Sequence, residues 1–124
     1  MKVLVDTSVW IDHFHRADPR LQALLLGGRA WTHTVVIGEL AAGRLRQRTE
    51  ILLHLQKLPR GDEIDLGEGL HLVAEHELWG RGLSWSDIQL LAAASIDRLT
   101  VWTRDRALAR AATELGLVHV ADAV

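Results

Sequence analysis

Lys2-Val3-Leu4-Val5 is a short β-branched run that stops at Asp6, and Asp6-Thr7-Ser8 supplies helix-start residues immediately afterwards. A strand over 2–5 that ends on an acid and turns straight into a helix narrows the fold more than any other feature of the chain. The alternation then repeats. Val9, Trp10, Ile11 and Phe14 have helical spacing, so a first helix is expected over 7–14. Asp18-Pro19 is a start signal of the N-cap and N1 kind, Leu21, Leu24 and Leu25 form a buried stripe, and Gly27-Gly28 closes a helix at 18–26. A strand at 29–32 and a helix over 34–43 follow, with Val35, Val36, Leu40 and Ala41 on one side and Glu39 inside it. Another helix, 49–58, stops at Pro59, which cannot donate to a continuing helix.

Residues 59–63, Pro-Arg-Gly-Asp-Glu, are the only linker-like stretch, and at five residues they read as a loop rather than a domain boundary. Leu66, Leu70, Val73, Ala74 and Leu78 predict an amphipathic helix ended by Gly80 and Gly82. Ser86 and Gln89 have the spacing of a capping box, which places Asp87 in the first turn of a helix running to Arg98. That helix is apolar nearly all round and is expected at the centre of the fold. A strand at 99–103, a helix at 105–115 capped by Gly116, and a last strand at 117–120 complete the pattern.

Short apolar strands separated by helices predict an α/β fold of three layers, α/β/α, with a short central parallel sheet in the Rossmann manner. At 124 residues the chain reads as one domain over 1–124, and 48% apolar with 24% charged residues is the composition of a folded globular protein. The absence of cysteine excludes a disulfide scaffold, a Cys-ligated zinc site and a thiol nucleophile, and fits a reducing compartment. No apolar stretch approaches the roughly 20 residues of a membrane span, and the run before Asp6 is too short for a signal-peptide core, so a cytoplasmic protein away from membranes is expected. With 14 Lys plus Arg against 16 Asp plus Glu, net −2, the whole surface cannot grip a polyanion, although a local basic rim can.

In open α/β sheets, ligands bind beyond the carboxyl ends of the strands. Asp6 follows the first strand by one residue, Asp105 follows the 99–103 strand by two, and Asp87 at a helix start can reach the same edge. Several carboxylates so close repel one another, and without a counter-charge at least one takes up a proton at neutral pH. A hard divalent cation removes that conflict. Mg²⁺ or Mn²⁺ suits oxygen ligands, lowers the pKa of a bound water and stabilises charge on a phosphodiester in transit. Strand-end acids also serve as helix caps, so spacing alone leaves both readings open.

Val5-Asp6-Thr7-Ser8-Val9-Trp10, Gly38-Glu39-Leu40, Ser84-Trp85-Ser86-Asp87-Ile88 followed by Ala92-Ala93-Ala94, and Thr103-Arg104-Asp105 resemble, in order, the successive motifs of PIN domains. Length and order are similar to those of VapC-type toxins of bacterial toxin–antitoxin pairs, and the resemblance spans residues 2 to about 120. It implies a metal-dependent endoribonuclease in which Asp6, Glu39, Asp87 and Asp105 are catalytic and hold Mg²⁺ or Mn²⁺, with Ser8 and Thr103 orienting the carboxylates. It also implies an RNA substrate such as tRNA or rRNA, a VapB-like antitoxin, a homodimer, and hydrolysis leaving 5′-phosphate and 3′-hydroxyl ends. One departure stands out: where many members carry an acid and then Phe after the last motif Asp, this chain has Ala107 and Leu108.

Four arginines are candidates for RNA phosphate: Arg44 and Arg48, in a basic cluster with Arg46, and Arg104 and Arg106 flanking Asp105. Trp10, Trp31 and Trp102 fall in expected elements and belong to the core, whereas Trp79 and Trp85 lie near a turn and could line an antitoxin groove or stack a base. His13-x-His15 and His71 with Glu75 have ligand-like spacing but no further partners in a zinc pattern, which makes them surface or core histidines. Two other functions compete: a non-catalytic PIN-like RNA-binding or regulatory module, and a Mg²⁺-binding receiver domain. A receiver needs a Lys at a late strand end, and Lys2 and Lys57 are the only lysines. A haloacid-dehalogenase-like phosphatase needs D-x-D after the first strand, which Asp6-Thr7-Ser8 is not.

Overall fold

A computed structural model describes residues 1–121; the expected domain end at 124 lies outside the described residues. The elements are β1 (Val3–Val5), α1 (Thr7–His15), α2 (Pro19–Leu26), β2 (Ala30–Trp31), α3 (Thr34–Ala42), α4 (Arg48–Lys57), α5 (Leu66–Glu75), α6 (Trp85–Asp97), β3 (Thr100–Trp102) and α7 (Arg106–Glu114). Among the described residues the strands form a parallel sheet in the order β2-β1-β3. β1 is the middle strand, and Val3, Leu4 and Val5 are all buried, as a parallel strand covered on both faces requires. The α/β fold expected from the sequence is therefore the observed one.

Backbone pairing continues past both outer strands as single bridges. Thr32 bridges Arg60 in parallel beside β2, so the segment expected to be a plain loop at 59–63 contributes to the sheet edge. Beside β3, the strand expected at 117–120 is reduced to one parallel bridge, Val101 to Val118, held by hydrogen bonds from Val101 N to Leu117 O and from His119 N to Val101 O. α5 is shorter than its apolar pattern predicts, because Glu77 turns to a left-handed φ of 52° and Leu78 is buried from the loop beyond the helix.

α6 carries an unbroken buried run from Ile88 to Ala94, which explains why its sequence is apolar nearly all round. Its cap is shifted from the expected one. Ser84 is the N-cap and Asp87 its partner, with Asp87 N donating to Ser84 Oγ at 3.1 Å and Ser84 N donating to Asp87 Oδ2 at 2.9 Å. Gln89, expected to complete the box, is buried and clamps the loop before α5 instead: Ile64 N donates to its Oε1 and its Nε2 donates to Ile64 O, both at 3.0 Å. A two-sided amide can satisfy a buried backbone N–H and C=O at once, and that need outweighs a cap already supplied by Ser84. His33 has a comparable role. Fully buried, it caps α3 by accepting from Val35 N through Nδ1, and its Nε2 donates to Asp62 O; burial pushes its pKa down, which keeps Nδ1 free to accept.

α5 and α6 meet where a side chain is missing. A Cβ on Gly69 would stand 2.2 Å from the Trp85 ring, so the indole at the first residue of α6 sits directly on the Gly69 backbone. Gly69→Ala is expected to destabilise the fold by about 1–3 kcal/mol through overpacking, and pairing it with Trp85→Leu should recover most of the loss, as urea unfolding of the three variants would measure.

Candidate active site

Parallel pairing aligns Val5 with Trp102, so the chains leaving β1 and β3 emerge side by side, and Asp6 N donates to Trp102 O at 2.9 Å. Asp6 occupies the N-cap position of α1, yet its side chain makes no cap bond. Instead Oδ2 accepts from Ser8 Oγ at 2.9 Å and from Thr103 Oγ1 at 2.7 Å. Those hydroxyls are in turn fixed from behind, since Arg104 N donates to Ser8 Oγ and Asp105 N to Thr103 Oγ1, each at 3.0 Å. Both protons point at one carboxylate oxygen, which sets the orientation of a buried acid.

Asp105 follows two residues later as the N-cap of α7, its Oδ1 accepting from Ala107 N at 2.8 Å and Leu108 N at 3.3 Å. Asp87 reaches the same edge from α6. Burial raises its pKa above the ordinary carboxylate value, and the charges of Asp6 and Asp105 push the same way against the hydrogen bonds from Ser84. Glu39 is exposed on α3, and its Oε1 accepts from Thr7 Oγ1 at 2.9 Å, which ties it to the residue next to Asp6. Thr7 carried no sequence signal beyond its place at a helix start.

The four acids share a pattern. Each spends one oxygen on the protein, Asp6 Oδ2, Asp87 Oδ2, Asp105 Oδ1 and Glu39 Oε1, and the second oxygen of each has no partner among the described residues. Among the described residues no three acids or imidazoles stand together closely enough to hold a metal ion as placed. That donor set fits a hard cation that keeps part of its water shell. Asp6, Asp87, Asp105 and Glu39 are the residues that would hold one if they closed around it.

The arginines divide differently from expectation. Arg104, expected at substrate phosphate, is committed inside the protein: Nη1 bonds Asp12, Nη2 bonds Asp18 at 2.9 Å, and the guanidinium lies over the Trp102 ring, 5.9 Å from its centroid. Arg20 packs over the same ring at 5.6 Å and also pairs with Asp18; Arg20 above all, with help from Arg104, holds the Asp18 carboxyl far below the usual range. Arg44 and Arg48 are separated by the break between helices, since α3 ends at Ala42 and Arg48 begins α4, donating to Ala41 O. Arg106 is exposed and without a partner among the described residues. Trp10 and Trp102 are buried and Trp31 partly so, while Trp79 and Trp85 are exposed. The histidines pair locally: His13 accepts from Asp18 N and His71 faces Glu75 at 3.3 Å.

Fold and site together define a parallel α/β domain with acids gathered at the carboxyl edge of its central strands. The pattern of the PIN domain family matches residues 3–114, and the chain belongs to that family. It is 43% identical over 116 residues to Ribonuclease VapC32 from two strains of Mycobacterium tuberculosis, covering 93% of this chain and 94% of that protein. The crystal structure of PAE2754 from Pyrobaculum aerophilum shares the fold, with a TM-score of 0.59 at 20% identity over 90% of this chain and 79% of that one.

Two outcomes follow. A raised Asp87 pKa means that stability held by the protonated acid is lost as pH rises from the ordinary carboxylate value through the raised one. Asp87→Asn keeps the acceptor for Ser84 N, so at neutral pH in EDTA it should melt at or above the parent temperature, with the gap closing below the ordinary carboxylate pKa; added Mn²⁺ should raise the melting temperature of the parent only. Ser8→Ala and Thr103→Val should each weaken Mn²⁺ binding about 10–100-fold by calorimetry without unfolding the chain.

Proposed function

We propose that this chain is a divalent-metal-dependent endoribonuclease toxin of the VapC type, acting as a single domain. The observation that carries the reading is the set of four acids, each held by one oxygen with the other unpartnered among the described residues, around the carboxyl edge of a parallel sheet. Likeness to a ribonuclease over nearly the whole chain supports the substrate class.

A bound Mg²⁺ or Mn²⁺ would supply an acidified water and charge neutralisation at the phosphodiester. The chain's own part is positional. Ser8 and Thr103 hold Asp6 with one oxygen outward, Ser84 and the α6 cap hold Asp87, the first turn of α7 holds Asp105, and Thr7 holds Glu39. Mutual repulsion of these acids is the stored cost that a cation relieves. Water attacks in line with the leaving 3′ oxygen, which takes up a proton, and leaves 5′-phosphate and 3′-hydroxyl ends.

RNA, tRNA or rRNA among the candidates, is the substrate, a VapB-like antitoxin is the partner that silences it, and the chain pairs with a second copy. Leu66, Leu70 and Ile96 are exposed, and Ile96 lines an apolar groove of about 440 Å³ between α5 and α6, a surface suited to protein contact. The cytoplasm is the compartment where these partners meet. Among the described residues no helix is long and apolar enough to cross a membrane. A receiver domain is disfavoured by Lys2, whose Nζ lies over the Trp31 ring at 5.1 Å at the amino end of β1, the opposite end of that strand from Asp6.

Total RNA incubated with the purified chain in EDTA, Mg²⁺ or Mn²⁺ tests the proposal. Discrete, metal-dependent products are expected, with Asp6→Asn lowering the rate by more than about 100-fold while remaining folded. Binding without cleavage by metal-loaded protein would favour the non-catalytic module, and a 2′,3′-cyclic phosphate end would refute the mechanism.

A further inference from the structure

Beside the acidic edge lies a second, oppositely charged cavity. It measures about 550 Å³ and is lined by Gly80, Arg81, Arg106, Ala107, Arg110 and Glu114. Its walls are one face of α7, from Arg106 to Glu114, and the loop that leads to the Ser84 cap of α6. The α7 start that follows Asp105 thus lines this cavity, and Gly80 and Arg81 border it a few residues before the Ser84 cap.

Charge within it is unbalanced. Three guanidiniums face one carboxylate, and Glu114 is taken by Arg81, with Arg110 at 3.6 Å as a weaker second partner. Both guanidiniums pull the Glu114 carboxyl below its ordinary pKa, Arg81 the more strongly, so it stays ionised. Arg106 alone has no partner among the described residues. Gly80 and Ala107 offer no bulk that would fill the space. A cavity with surplus guanidiniums and room for a nucleotide-sized group has the chemistry of a phosphate subsite.

Resting on the reading of this chain as a ribonuclease, we propose that the Arg81–Arg106–Arg110 cavity holds a phosphodiester of the RNA strand next to the one being cut. The need for it follows from the site itself. Four acids repel a polyanion, and the chain as a whole carries net −2, so affinity for RNA has to come from local cations. Arg106 is placed for that purpose by its position directly after Asp105. The subsite reads no base, so it strengthens binding to every RNA sequence alike.

Two measurements separate this proposal from the reading beneath it. Binding of fluorescein-labelled oligouridylate is followed by anisotropy in EDTA across a salt series, and cleavage of total RNA is followed with Mn²⁺. Arg106→Ala, which breaks no ion pair, should weaken binding about 5–10-fold, make the slope of log K against log salt shallower by about 0.7, and raise KM with kcat nearly unchanged. Ala107→Glu should weaken binding further, Arg106→Lys should restore part of it, and Lys57→Ala, remote on α4, should change nothing. If Arg106→Ala and Ala107→Glu both bind with the parental affinity and salt slope, the subsite is absent whether or not the chain cleaves RNA. If the parent fails to cleave yet the variants lose binding as described, the ribonuclease reading falls and the phosphate subsite stands.

Discussion

The parallel pairing of β1 with β3 is the constraint from which the site follows. Setting Val5 beside Trp102 forces the next residues, Asp6 and Thr103, to leave the sheet together, although they are 97 positions apart in sequence. Once they are neighbours, a hydroxyl on each exit, Ser8 and Thr103, can donate to the same oxygen of Asp6. An acid at a helix N-cap would ordinarily turn its carboxylate onto its own amides. Here two O–H donors hold Oδ2 instead, and the side chain makes no cap bond.

The loop after β3 stays in place because its arginine is anchored. Arg104 reaches Asp12 in the second half of α1 and Asp18 at the N-cap of α2, and packs with Arg20 around Trp102. A guanidinium held between two carboxylates and an aromatic face is well satisfied and has little left to offer a substrate. Its work is to tie the segment 103–105 to the α1–α2 corner, which carries both Thr103 and Asp105 into register with Asp6. The loop before α5 is fixed in a comparable way by Gln89 of α6, and the start of α6 is seated on α5 by the Gly69–Trp85 contact.

Stability and function pull against each other at this edge. Asp87 is half-buried next to two other acids and holds its charge at a cost, while Ser84 and the α6 cap keep it from turning away. Such a cluster is tolerated because the hydrophobic floor beneath it, β1 and the buried run of α6, is fully packed. The cavity lined by Arg81, Arg106 and Arg110 carries the opposite charge.

Much of this was legible in the residues alone. The alternation of short apolar runs with helical spacing gave a parallel α/β fold, because strand and helix periods are local properties, and acids just past strand ends marked the edge where ligands bind. What the sequence misplaced were side chains whose partners are distant. Arg104 read as a substrate contact because Asp12 and Asp18 are 92 and 86 positions away, Gln89 read as a cap because Ile64 is 25 positions away, and the tail strand shrank to one bridge because only Val118 meets β3. Residue type and spacing determined which groups this protein could use for its chemistry. Only tertiary structure decided which of them are already satisfied within the fold and which remain free to act, since a hydrogen bond or ion pair forms between neighbours in space and leaves no trace in the order of the chain.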